Sequence, residues 1–209
     1  MYGTSGAPKV VGYAALTGGI LLVPPAVGAL FFASDGSGPL PTLFVALGFA
    51  GALVAPVGVL WLYPLASSEG EAEGGVWASL GLAVTLLGLV GLLVYTGELA
   101  RDADPGRLYL TASVLALWIR PLGVLFFAFA LVRADIVFGR ALLLFLVSFL
   151  EIPLLSNLAF EATSGAGWAA LFFGFPNLYP GQVGLLGALA WMLFGYSFLS
   201  LVEEPARKP

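Results

Sequence analysis

The chain has 209 residues, of which 60% are hydrophobic and only 10% are charged, and its mean hydropathy is +1.01. A soluble domain is about 45–50% apolar and about 25% charged, so this composition is typical of an integral membrane protein. Cysteine and histidine are absent, which excludes disulfides, thiolate metal sites and the usual ligand of haem, copper and zinc.

The sequence also lacks the residue combinations that common intramembrane enzymes use for catalysis. None of the apolar spans holds an aspartate, or a serine accompanied by a lysine or histidine that could activate it. We therefore predict that the protein is not an enzyme and that it has no catalytic residues, no metal and no cofactor. The net charge of −4, with two lysines and no basic cluster, argues against nucleic acid as a partner. Such an acidic, lysine-poor composition is typical of proteins from salt-loving organisms.

Six apolar runs are each long enough to cross a hydrocarbon core of about 30 Å, which takes roughly 20 helical residues. They predict an all-α, polytopic integral membrane protein with a single six-helix domain over 1–209, because helices satisfy their own backbone hydrogen bonds in lipid. The runs cover 10–33, 40–65, 76–96, the two segments of 108–160 on either side of a charged turn at 133–137, and 183–202.

Prolines interrupt several of these runs. Pro24 and Pro25 together remove two helical donors from the first run, and Pro56 lies inside the second, so kinks or breaks are expected there. The first run is longer than a typical signal-peptide core and lacks a small-residue cleavage pattern, which favours an uncleaved helix.

Small residues line one face of the third run at gaps of three, four and three, which lets helix backbones approach closely. Packing inside the chain and an oligomer interface are both open interpretations. The residues of this stripe are Ala78, Gly81, Thr85 and Gly88, and Gly184 and Ala188 form a similar small pair in the sixth run.

The loop before the last run is rich in aromatic residues. Its apolar part, 166–175, is too short to cross a bilayer. It predicts a short interfacial helix before the last span, with a re-entrant segment as the alternative.

Arg120 and Glu151 are charged residues near the middle of the fourth and fifth runs. If the turn between the runs is centred on Asp135, the two lie fifteen residues before it and sixteen after it, roughly 23 Å of helix in each case. An antiparallel hairpin would therefore bring the opposite charges to one depth. Ser148, one turn from Glu151, can donate to its carboxylate, and Asn157 would extend this polar line.

Two interpretations of this predicted pair are open. A charge at bilayer depth costs about 2.5–3.5 kcal/mol and is kept where it is paired or lines a polar path. The pair is either a fixed link between two kinked helices or a proton- or cation-binding carboxylate gated by Arg120. Pro121 also leaves the Leu117 carbonyl without its helical donor, and the guanidinium is expected to serve that carbonyl.

Six spans place both termini on one side of the membrane. Five basic residues flank that side and two, Arg101 and Arg107, flank the other, so the positive-inside rule predicts cytoplasmic termini in a multi-pass protein of the cell membrane. The five are Lys9, Arg133, Arg140, Arg207 and Lys208.

The segments 56–60 and 121–125 share the pattern Pro-x-Gly-Val-Leu at an offset of 65 residues. Two explanations are open: chance resemblance in a chain rich in leucine, valine and glycine, or a repeat of the second and third spans as the fourth and fifth. Transporters are often built from such repeats. The leading functional hypothesis is a small transporter or channel-like protein that uses Arg120 and Glu151. The alternative is a non-catalytic membrane subunit or scaffold. Besides the lipid bilayer, the expected partner is then a second copy of the chain or another membrane protein.

Overall fold

The computed structural model describes residues 6–31, 39–64, 72–100, 107–133, 139–140, 142–147 and 180–203, and every secondary-structure element in these ranges is helical. The predicted all-α class is therefore confirmed for the described part of the chain. The elements are α1 (Ala7–Phe31), α2 (Pro39–Leu60), α3 (Ala72–Ala100), α4 (Arg107–Val114), a π-helical turn (Leu115–Ile119), α5 (Arg120–Arg133) and α6 (Pro180–Glu203).

Two of these helices contain stretches that are long and apolar enough to cross a membrane, Ala7–Val27 in α1 and Gly75–Glu98 in α3. Two further apolar stretches within the described residues, Ala46–Leu60 and Leu185–Ser200, are shorter. The finer prediction of six crossings stays a prediction.

The two adjacent prolines do not break the first helix, contrary to one of the two outcomes expected from the sequence. α1 remains helical through Pro24 and Pro25 as far as Phe31. Gly48 of α2 lies against Pro25, whose ring atoms are 3.4–3.5 Å from the position a Cβ on Gly48 would take. Prolines are tolerated inside helices where neighbouring helices pack around them, which explains the uninterrupted helix.

α1 packs against α6 as well as α2, and glycines make the closest approaches. Gly12 lies against Gly195 of α6, and Gly19 lies against Ala188 and Met192 two turns further along. Because the numbering rises along α1 as it falls along α6, the two helices are antiparallel. Ala188, one of the predicted small residues, therefore packs inside the chain.

Two helix pairs in the molecule are built alike: α1 with α2, and α3 with α5. In each pair the residue before the proline of the Pro-x-Gly-Val pattern lies against a glycine of the other helix. The glycine of the pattern lies against a small residue one turn away. The contacts are Gly18 with Ala55 and Ala14 with Gly58 in the first pair, and Gly88 with Arg120 and Thr85 with Gly123 in the second. The repeat suggested by the sequence started at the second span, whereas these contacts relate α1–α2 to α3–α5.

The buried side chains form two main hydrophobic clusters. One joins α1, α2, α5, the helical residues 142–147 and α6, and its largest members are Trp191, Phe127 and Phe194. The other joins α2, α3, α4 and the π turn through Ala52, Leu92, Tyr95, Ala112 and Ala116. In the chain, Arg120 lies four residues after Ala116 of the second cluster and four residues before Val124 of the first.

Candidate functional site

Arg120 is the first residue of α5, directly after the π turn, and its side chain is only 1% exposed. It precedes the end of α5 by thirteen residues, or about 20 Å of helix, so it lies deep in the bundle. Its backbone lies directly against Gly88 of α3, where a Cβ would overlap it. The missing side chain at Gly88 is therefore what lets α3 approach this point.

The guanidinium of Arg120 donates hydrogen bonds to backbone carbonyls on two different helices. Its Nε lies 3.3 Å from the oxygen of Ala116, in the π turn of its own helix. Its Nη1 lies 2.5 Å from the oxygen of Ala52, in the middle of α2. Hydrogen bonds from a charged donor are shorter and stronger than neutral ones, so the bond to Ala52 ties α2 to α5, while the bond to Ala116 holds the guanidinium against its own helix.

Pro56 explains why the Ala52 carbonyl accepts a side-chain donor. In an α-helix this carbonyl would accept the N–H of the residue four positions later, which is Pro56. Proline has no N–H, so the Ala52 oxygen has lost its helical donor. The Nη1 of Arg120 takes the place of that donor.

Pro121 has the same effect on the Ala116 carbonyl through the π turn. The N–H of Arg120 donates to Leu115, five residues back, and so bypasses Ala116. In this register the next donor would come from Pro121, which has none. The bond expected from the sequence, to the Leu117 carbonyl, stays a prediction. The described bond goes to Ala116, the carbonyl that the π turn leaves without a donor.

Thr85 contributes a second buried polar group near Arg120. Its hydroxyl is fully buried and has no hydrogen-bond partner among the described residues. It lies against Gly123 of α5, one turn from the contact between Gly88 and Arg120. A Cα–H group of Gly123 can supply only a weak donor to it.

The predicted stripe of small residues on α3 runs along α5 of the same chain. Gly81 lies against Phe127, and Ala78 is fully buried in a cluster with Ala130. Thr85 and Gly88 make the contacts described above. Of the two interpretations of the stripe, the described contacts correspond to packing inside the chain.

Several predicted site residues lie outside the described residues: Glu151, Ser148, Asn157 and the interfacial segment 166–175. The ion pair between Arg120 and Glu151 therefore stays a prediction. Gly184 lies within α6.

Arg140 is a buried arginine that the sequence analysis treated only as a loop charge. Its side chain is 8% exposed, and its Nε and Nη2 donate to the Ser197 carbonyl at 3.1 and 2.9 Å. Its Cζ also lies 5.3 Å from the centre of the Phe198 ring, which is cation–π distance. Arg140 thus fastens the chain that follows α5 to the end of α6. In the sequence, the only indication that Arg140 is buried was its position directly before the apolar residues 141–147.

The described residues contain no group of three or more acidic side chains that could hold a metal ion. No protein-family model, curated protein or solved structure matches the chain. Its function is therefore argued from the arginine site and the surrounding helices alone.

Proposed function

We propose that the protein is a six-helix integral membrane protein of transporter- or channel-like type, with Arg120 at the centre of its path. The observation that carries this proposal is that two helices each lose a backbone hydrogen bond to a proline, and that both losses meet at Arg120. α2 and the helix over 107–133 each contain a buried proline, and one guanidinium donates to a carbonyl that each proline leaves without its helical donor. Transporter sites typically lie near the bilayer midplane, where discontinuous helices expose backbone groups.

The outer face of α3 supports residence in a membrane. Within Gly75–Glu98, only 39% of an 18-residue apolar segment is buried inside the protein, whereas a core helix of a soluble protein would be mostly buried. The exposed face is made of large apolar side chains, and such a face is more stable in contact with lipid than with water. It includes Val76, Leu80, Leu87, Val90 and Leu93.

Helix directions support an even number of crossings. α2 and α6 are both antiparallel to α1. α2 and α5 are parallel, because Ala52 and Ala116 share one hydrophobic cluster while Val59 and Val124, further along each helix, share the other. α5 and α6 therefore run the same way, and the chain leaves Arg133 at one end of the bundle and reaches Pro180 at the other. The predicted fifth span would make this return crossing.

The leading mechanism keeps Glu151 as a proton- or cation-binding carboxylate whose charge is balanced by Arg120. A carboxylate at this depth would be stabilised by a guanidinium and would bind a proton or small cation when that guanidinium moves away. The buried hydroxyl of Thr85 would add a polar group beside the same path.

One observation favours the alternative, a non-catalytic membrane subunit or scaffold. The two described bonds of Arg120 both end on backbone carbonyls of its own chain, which is what a structural cross-link would make. In that case the site would be dry, whereas a transport path must be reached by water.

Cysteine accessibility separates the two functions, because the natural chain has no cysteine. Thr85→Cys and Ala52→Cys would each place a thiol beside Arg120, and a small, membrane-impermeant thiosulfonate reacts only with a hydrated thiolate. For a transporter we expect both thiols to react in protein reconstituted into liposomes. Leu87→Cys, on the exposed apolar face of α3, should stay unreactive, and Gly97→Cys, at the exposed end of α3, should react. If Gly97→Cys reacts while both site thiols remain unlabelled, the scaffold is the correct function.

A further inference from the structure

We propose that Arg120 is a conformational lock: it supplies the hydrogen-bond donors that Pro56 and Pro121 lack and thereby fixes α2 and α5 to each other at these two prolines. This inference concerns the bundle itself and holds for a transporter and for a scaffold alike. The lock joins positions that are 68 residues apart in the chain, through the bond from Arg120 to Ala52.

The need for the lock follows from burial. A backbone carbonyl away from water costs free energy when it has no donor, so buried carbonyls are almost always paired. Ala116 is fully buried and Ala52 is 6% exposed, so solvent does not replace the donors that the prolines remove. The guanidinium reaches both oxygens because its donors lie on separate nitrogens of one planar group.

The position of Arg120 in the chain makes this arrangement possible. It directly precedes Pro121, so the residue that bridges the helices is next to one of the prolines whose effect it offsets. Gly88 lets α3 pack against the Arg120 backbone, which leaves the side chain directed toward α2. In the matching helix pair, α1 with α2, the residue before the proline is Ala55, whose side chain has no hydrogen-bond donor. One arginine therefore donates to both carbonyls, those of Ala52 and Ala116, that the prolines leave without a helical donor.

A double-mutant comparison in the purified full-length chain tests the lock. Pro56→Ala restores an N–H that can bond to the Ala52 carbonyl within α2, so Arg120 should matter less in that background. We expect Arg120→Leu to lower the melting temperature in detergent, followed by circular dichroism, and to lower it clearly less when Pro56→Ala is present. Other contacts of Arg120 are lost in both backgrounds and cancel in the comparison.

Pro24→Ala is the matched control, because Pro24 also lies inside a helix but its missing donor concerns the carbonyl of Ile20, an exposed residue of α1 that neither described bond of Arg120 reaches. The full effect of Arg120→Leu should persist in that background. Pro121→Ala, which restores a donor near Ala116, should reduce the effect as Pro56→Ala does, and the two proline replacements together should reduce it further.

The proposal is overturned if the effects of Arg120→Leu and Pro56→Ala simply add, or if Pro24→Ala reduces the effect of Arg120→Leu equally. If Arg120→Leu cannot be recovered in folded form, the same comparison uses the yield of monodisperse protein in size-exclusion chromatography. Recovery with Pro56→Ala but not with Pro24→Ala supports the lock, and recovery with neither or with both refutes it.

Discussion

The hydrogen bonds from Arg120 to the carbonyls of Ala52 and Ala116 stabilise the folded protein whether or not Glu151 lies opposite Arg120. Replacing one member of a buried ion pair typically costs about 3–5 kcal/mol, because the other charge is left without compensation. A buried carbonyl that loses its donor costs about 1–3 kcal/mol. If Glu151 is the partner, Arg120→Leu should therefore be strongly destabilising. Arg120→Leu with Glu151→Leu should recover part of the loss, but not the part due to the carbonyls of Ala52 and Ala116.

Unfolding free energies in detergent, measured for the single and the double variants, decide this point. The expected order of stability is wild type, then the double variant, then Arg120→Leu. Glu151→Leu alone should also fall below the double variant, because it leaves the guanidinium charged. A double variant that is no more stable than Arg120→Leu would show that Glu151 is not the counter-ion.

The packing of α3 on α5 depends on the absence of a side chain at Gly88. A Cβ there would overlap backbone atoms of Arg120, which cannot move aside as the end of a flexible side chain can. We expect Gly88→Leu to destabilise the protein by about 1–3 kcal/mol, the usual cost of overpacking, and more if α3 has to separate from α5. Thermal or chemical unfolding in detergent measures this effect.

Gly97→Leu is the matched control on the same helix. Gly97 is exposed and has open space where a Cβ would be, so this change should alter stability by no more than about 0.5 kcal/mol. Both variants replace a helical glycine by leucine, so the difference between them isolates packing from helix propensity. Equal stability of the two variants would contradict the contact between Gly88 and Arg120.

At the scale of secondary structure, the sequence predicted the positions of the helices well, but not the π turn before Arg120. The described helix ends fall within about five residues of the ends of the apolar runs, because the polar, glycine- and proline-rich segments between the runs favour turns. The π turn could not be predicted from Pro121 alone, since proline fixes which donor is missing but not how the preceding turn is wound. The bond from Arg120 to Ala52 also depends on α2 and α5 being neighbours, which their spacing in the sequence does not reveal.

In the whole molecule, the start of α1 lies at the same end as the end of α6, because Gly12 packs against Gly195 and the helices are antiparallel. Exposed aromatic residues occur near this end on several helices, among them Tyr13, Trp61 and Tyr196. Aromatic side chains at such a level are typical of a membrane–water interface. Lys9 and Arg133 lie toward this end as well, and they are two of the basic residues on which the prediction of cytoplasmic termini is based.

Four glycines allow this orientation to be tested with minimal disturbance, since open space surrounds the place where each Cβ would be: Gly6, Gly75, Gly97 and Gly139. With six spans and cytoplasmic termini, Gly6, Gly75 and Gly139 face the cytoplasm and Gly97 faces outside. Single cysteine variants in the cysteine-free chain should therefore behave differently toward an impermeant maleimide. In intact cells only Gly97→Cys should be labelled, and after permeabilisation all four should be. If Gly6→Cys, Gly75→Cys and Gly139→Cys were labelled in intact cells and Gly97→Cys were not, the termini would lie outside the cell. Labelling of Gly6→Cys but not Gly75→Cys in intact cells would rule out the six-span topology, because these positions are separated by two predicted crossings.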